Sequence, residues 1–210
     1  MMQSYNTAII TGHLEGELTV DHTILGESFY TGTVAVRRTS GAVDSIPVTV
    51  PGRLLESLEL NIFDGNVTVT GQMRSYNKTV DGAGRLILTL FAQNIEPSDG
   101  DDTMNQINLV GTLCKLPNYR VTPFGREICD MMLAVNRGFG KSDYIPCIVW
   151  GRNSVWASKL VPGDRITISG RMQSRLYEKL HEDGSIETRT AYELSVFQIE
   201  RCPVEMMASI

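Results

Sequence analysis

Between residues 137 and 179, aromatic and basic side chains are interleaved. Phe139, Tyr144, Trp150 and Tyr177 stand among Arg137, Lys141, Arg152, Arg171, Arg175 and Lys179. That mixture matches the chemistry of a single nucleic-acid strand: each base can stack on a ring for about 1 to 3 kcal/mol, and Arg and Lys follow the phosphates. The segment DYIPCIVW, residues 143–150, organises it most clearly. A strand's period of two sends Ile145, Cys147 and Val149 to one face and Tyr144, Pro146, Ile148 and Trp150 to the other. The first set is a barrel-core row. A tyrosine and a tryptophan six residues apart on the outer row call for a partner, either bases or another subunit.

Other chemistries find little support. Cys114, Cys129, Cys147 and Cys202 form no CxxC pair and have no histidine at ligand spacing, so they are read as buried, reduced thiols rather than a zinc site or disulfide framework. His13, His22 and His181 are isolated from any nucleophile. Glu178, Glu182, Asp183 and Glu187 read as solvated hairpin charge, since no coordinating aspartate or histidine joins them. No enzyme, metal or cofactor is expected.

The elements that position the aromatic row follow from hydrophobic periodicity. Residues 106–114 alternate as a first strand, Pro117 and 122–125 punctuate a loop, and 126–137 give a second strand. A short turn at 138–140 leads to the third strand, 143–150, and 153–160 read as the lone helix, stopped by Pro162-Gly163. Residues 165–172 alternate again, and a polar hairpin around Glu182-Asp183-Gly184 leads to a last strand over 188–199. The order βββαββ is that of an OB-fold, a five-stranded Greek-key barrel.

The chain holds this unit twice. An ungapped register of 99 residues aligns 6–75 with 105–174 and gives 19 identities in 70 positions, among them Gly12 with Gly111, Asp44 with Asp143, Ile46-Pro47 with Ile145-Pro146, and Gly71 with Gly170. The expected fold is therefore all-β, two tandem OB-folds each with one short helix: 1–97, an acidic linker at 98–103, and 104–210. The 210 residues, 42% hydrophobic and 20% charged, suit two such globular domains. No apolar run reaches the roughly 20 residues of a membrane span, and the start lacks a signal peptide, so the cytoplasm is the expected location. The net charge of -5 divides unevenly: -4 over residues 1–98, -3 over 99–103 and +2 over 104–210. A polyanion is thus compatible with the second half.

That second half resembles the bacterial single-stranded DNA-binding protein family. The resemblance rests on NQINLVGTL, LAVNR, DYIPCIVWGR, LVPGDRITISGRMQSRLYE and the final Leu-Ser-Val-Phe-Gln-Ile run. It implies an OB-fold that binds single strands without catalysis, works in DNA replication, repair and recombination, and assembles four OB-folds. It places stacking aromatics on Tyr144, Trp150 and Tyr177, a basic residue on Arg152, and an approximate fourth aromatic on Phe139. In the first copy Ser45, Pro51 and Lys78 replace Tyr144, Trp150 and Tyr177, so that copy is expected to bind weakly or not at all and to serve pairing. Two OB-folds per chain make a homodimer the expected assembly. The family's acidic tip for recruiting partners has no match in RCPVEMMASI, which favours an accessory role.

The leading expectation is sequence-independent binding of single-stranded DNA. The alternative is a primosome-type or structural OB module whose outward aromatics form a subunit interface. RNA is a third candidate ligand, because stacking does not report the 2′-hydroxyl.

Overall fold

The computed structural model describes residues 6–56, 65–80, 83–98, 103–181 and 184–202. Most of the linker, the tip residues Glu182 and Asp183, and the tail from residue 203 lie outside that set. The first barrel is built from β1 (Asn6–Ile24), β2 (Glu27–Arg37), β3 (Val43–Pro51), β4 (Asn66–Val80) and β5 (Ala83–Pro97), with α1 (Gly52–Glu56) after the third strand. The second uses β6 (Met104–Leu113), β8 (Glu127–Arg137), β9 (Lys141–Trp150), β10 (Arg165–Leu180) and β11 (Ile186–Arg201), with α2 (Arg152–Ala157) in the corresponding place. Strand β7 (Asn118–Val121) is an addition to the five-stranded plan. It pairs antiparallel with β8 inside the segment read from sequence as a loop. The loop reading missed it because the strand is only four residues long, and its alternating Tyr119 and Val121 are exposed and bury no face.

Period-two burial makes each barrel's core. Ile46, Val48 and Val50 in β3 and Ile145, Cys147 and Val149 in β9 are all buried, as the alternation predicts. The barrels close through β1 with β2 and through β6 with β8. Closure brings backbones together at glycines that the repeat shares: a Cβ on Gly111 would meet the Ala134 carbonyl oxygen at 3.0 Å, and one on Gly170 would meet the Ser195 carbonyl oxygen at 2.5 Å. Gly71 and Gly170 also sit at irregular steps in the β4–β5 and β10–β11 ladders. There a side chain would displace the partner strand.

The two barrels share one sheet. Strand β1 pairs antiparallel with β6, with Ala8 opposite Ile107. These residues are 99 apart in sequence, so the pair marks an approximate two-fold axis relating the barrels. The same symmetry governs the side chains at the seam. Asp44 Oδ1 accepts the Ser174 N–H at 2.9 Å, and Asp143 Oδ1 accepts the Ser75 N–H at 2.8 Å. The Ser45 N–H donates to Ser174 Oγ at 3.1 Å, and the Tyr144 N–H donates to Ser75 Oγ at 2.7 Å. Asp44 and Asp143 are fully buried, and arginines engage both. Arg38 binds Asp44 through two nitrogens, while Arg137 lies 3.6 Å from Asp143.

Candidate nucleic-acid interface

The outer row of β9 runs from the seam to the far end of the second barrel. Tyr144 is 47% exposed, Pro146 is half-buried, Ile148 is buried and Trp150 is half-buried. The burial of Ile148 departs from the simple alternation. Strand β9 lies between β8 and β11, and Ile148 stands opposite both Asp130 and Ser195. Arg120, carried by the unanticipated β7, pairs with Asp130 at 2.7 Å and interacts electrostatically with Glu193 on β11. The middle of the row is therefore flanked on both sides, and the two aromatic ends remain accessible.

Trp150 is held rather than free. Its Nε1–H donates to Ser195 Oγ at 3.0 Å, fixing the indole beside a cleft of about 260 Å³ lined also by Asn153, Arg171 and Phe197. Phe197 is well exposed and was not singled out in the sequence. It falls at the irregular step of the β10–β11 ladder, where the residue pairing skips from Val196 to Gln198. A bulge re-aims its side chain, and strand alternation alone does not reveal a bulge. Arg171 Nε is buried and has no hydrogen-bond partner in the protein. Arg152 opens α2 and is exposed.

The other predicted residues divide between two further places. Tyr177, 37% exposed, lies on the β10–β11 hairpin with Arg175 placed 6.0 Å over its ring, and it borders a groove shared with Pro146. Arg175 also approaches Glu193 at 4.0 Å, while Lys179 is exposed opposite Glu187. Phe139, fully exposed, sits with Arg137 and Lys141 at the opposite side, facing the first barrel. Phe139 adopts φ 62° in the turn between β8 and β9, a left-handed conformation that is uncommon for a bulky side chain.

The expected thiol burial holds for Cys129, Cys147 and Cys202, but Cys114 is exposed because it follows the last residue of β6. None of the four is in a disulfide. Burial pushes the Cys129 thiol up to about 11 and that of Cys147 higher still. Among the described residues no group of three or more His, Cys, Asp or Glu side chains could hold a metal ion, and no helix is long and apolar enough to cross a membrane.

Comparison with known proteins follows the same division of the chain. Residues 104–202 match the model of the Single-strand binding protein family. The "Single-stranded DNA-binding protein" of Clostridium tetani is 40% identical over 82 residues, covering 36% of this chain and 57% of that protein. The "Single-stranded DNA-binding protein 2" of Listeria innocua is 39% identical over 82 residues, covering 36% and 52%. The match thus spans about half the length of these curated relatives. The solved wild-type single-stranded DNA binding protein from Thermus aquaticus superposes with a TM-score of 0.74 at 23% identity, covering 94% of this chain and 93% of that one. This likeness shows that the fold is shared across both barrels.

Proposed function

We propose, from the match of residues 104–202 to the single-strand binding protein family, that the chain is a non-catalytic, largely sequence-independent binder of single-stranded DNA. One observation carries the reading: Trp150 is clamped by Ser195 at one end of the outer β9 row, Tyr144 stands exposed at the other, and basic side chains flank both. A clamped ring loses little further freedom when a base stacks on it. Arg171 and Arg152 near Trp150, and Arg175 and Lys179 around Tyr177, supply phosphate contacts. Lys141 and Arg137 continue the path past Tyr144.

The domain division at 1–97, 98–103 and 104–210 belongs to this reading. Four cysteines outside any disulfide suit the reducing cytoplasm, where a DNA partner would also be met. Leu176, Leu180 and Ile186 on the β10–β11 hairpin are well exposed apolar side chains. They favour a second copy of the chain covering the hairpin, which gives a homodimer with four barrels.

Fluorescence anisotropy with labelled oligo-dT tests the binding role. A Tyr144→Ala, Trp150→Ala variant should lose at least about thirtyfold in affinity, the size expected from removing two stacking faces. Retention of parental affinity would rule out the stacking role. A monomer by light scattering would remove the homodimer. Preference for matched RNA oligomers would move the ligand class to RNA.

A further inference from the structure

The sequence of the first barrel places no aromatic at the Trp150 position, yet the structure gives that barrel a column of its own. His22 stacks on Phe29 with ring centroids 4.9 Å apart, Phe29 lies 6.1 Å from Phe91, and the Arg74 guanidinium sits 3.5 Å over the Phe91 ring. Strand pairing explains the origin of this column. Thr49 pairs with Phe91 in the first barrel, as Ile148 pairs with Ser195 in the second. Phe91 therefore occupies the position of Ser195, the residue that clamps Trp150. The ring lost from β3 at Pro51 is supplied from the adjacent strand β5.

The column lines a groove of about 780 Å³ that reaches across the seam to Arg137, Phe139 and Lys141 of the second barrel. Three cations face it, against the single carboxylate of Asp21, which is engaged by His22 at 2.7 Å. Arg74 Nε is buried without a hydrogen-bond partner. Arg74 and Arg137 are close enough to repel one another, with Asp143 as the nearby anion, and Asp143 already accepts from Ser75. Arg137 lies 3.6 Å from Asp143, and Asp21 and Asp143 together offset only two of the three cations, which leaves capacity for a further anion. Phe139 completes the groove as a fully exposed ring held at positive φ, a conformation sustained against its intrinsic cost.

We propose that this seam groove is a second single-strand site, in which bases stack at the Arg74–Phe91 end of the column while Arg137 and Lys141 take the phosphates. The proposal rests on the single-strand reading of the second barrel and extends it: a strand leaving Tyr144 passes Lys141 into the first barrel, so one DNA strand engages both barrels. The first barrel, expected from its sequence to bind weakly or not at all, becomes a binding domain by a different set of residues.

The test uses the full chain and two strand lengths, about 8 and about 30 nucleotides of dT, chosen around the 4 to 16 nucleotides usual for one such fold. A Phe91→Leu, Arg74→Gln variant should bind the long strand about tenfold more weakly, the loss expected from one stacking contact. Its response to the short strand, read through Trp150 fluorescence with Trp156→Phe in both proteins, should match that of the parent. Photo-crosslinking the unaltered protein to 5-iodouracil-containing strands should label the peptide around Phe91 as well as peptides of the second barrel. Parental affinity of the variant for the long strand, or labelling confined to the second barrel, would overturn the proposal. Labelling at Phe91 with no Trp150 response would instead reject the second-barrel reading.

Discussion

The Asp143 carboxylate of β9 accepts the backbone N–H of Ser75 in β4 at 2.8 Å, across the seam between the barrels, and its repeat mate Asp44 accepts the N–H of Ser174 at 2.9 Å. Each barrel thus inserts one buried carboxylate into its neighbour's fourth strand, as in an isologous contact within one chain. The consequence is functional, because this contact sets where Arg137 and Lys141 stand relative to Arg74.

Removing either carboxylate leaves buried donors unpaired. Asp143→Ala and Asp44→Ala are each expected to lower unfolding stability by about 1 to 3 kcal/mol. The exposed control Glu178→Ala should change it by less than about 0.5 kcal/mol. Urea titration measures all three, and a neutral effect of both aspartate variants would remove the seam contacts from the account.

Close backbone approach at Gly170 sets a second expectation. A Cβ there would lie 2.5 Å from the Ser195 carbonyl oxygen, whereas Gly138 has open space around it. Gly170→Ala should cost about 1 to 3 kcal/mol through strain, and Gly138→Ala should be tolerated. The same substitution shifts β11 under Trp150, so in a Trp156→Phe background the Trp150 emission maximum of the Gly170 variant should move as well. Equal stability of the two variants would contradict the packing described.

Thiol chemistry separates the cysteines. Cys114 is exposed, whereas Cys129, Cys147 and Cys202 are buried, and burial holds the Cys129 thiol up to about 11. Only the thiolate reacts, so Ellman's reagent near pH 8 should titrate one thiol quickly in the native protein and four after denaturation. Two or more fast native thiols would show that the second-barrel core is more open than described.

Acid sensitivity is expected at the contact between β5 and β11. Arg85 reaches Glu187 at 3.4 Å, and Glu187 also meets Arg189 at 2.6 Å and His181 at 2.8 Å. Hydrogen bonds from Arg189 and then His181 hold its carboxyl down to about 2 from an ordinary 4.5. A depressed carboxylate contributes stability that is complete above the unfolded value and fades as pH falls through the folded one. The contribution should therefore disappear between pH 4.5 and about 2. Glu187→Gln should flatten the dependence of melting temperature on pH in that window. An unchanged acid profile would show that the cluster contributes nothing measurable.

The fold was legible because the repeat preserves what closure needs. Gly12 and Gly111, Gly71 and Gly170, and Asp44 and Asp143 recur at 99 residues because each pair performs the same backbone task in its own barrel. The aromatic ends of β9 were legible from strand alternation. Three features were not. The exposed strand β7 is four residues long and buries no face, so Arg120 was not placed beside Asp130. Phe197 depends on a bulge. Phe91 lies beyond residue 75, where the uniform register ends: Met73 pairs with Leu90 while Met172 pairs with Leu194, an offset of 104 rather than 99 on β5 and β11. A fixed shift therefore pairs Phe91 with the wrong residue and hides its equivalence to Ser195.

Stacking of a base on the clamped indole of Trp150 is tested most directly by the emission of that ring. The chain has a second tryptophan, Trp156, on α2, so the Trp156→Phe variant leaves Trp150 as the sole reporter. Titrating that variant with oligo-dT should quench its emission to saturation, with an apparent affinity that falls as salt rises because counterions are released from the strand. Emission that stays unchanged while anisotropy reports bound DNA would contradict stacking at Trp150.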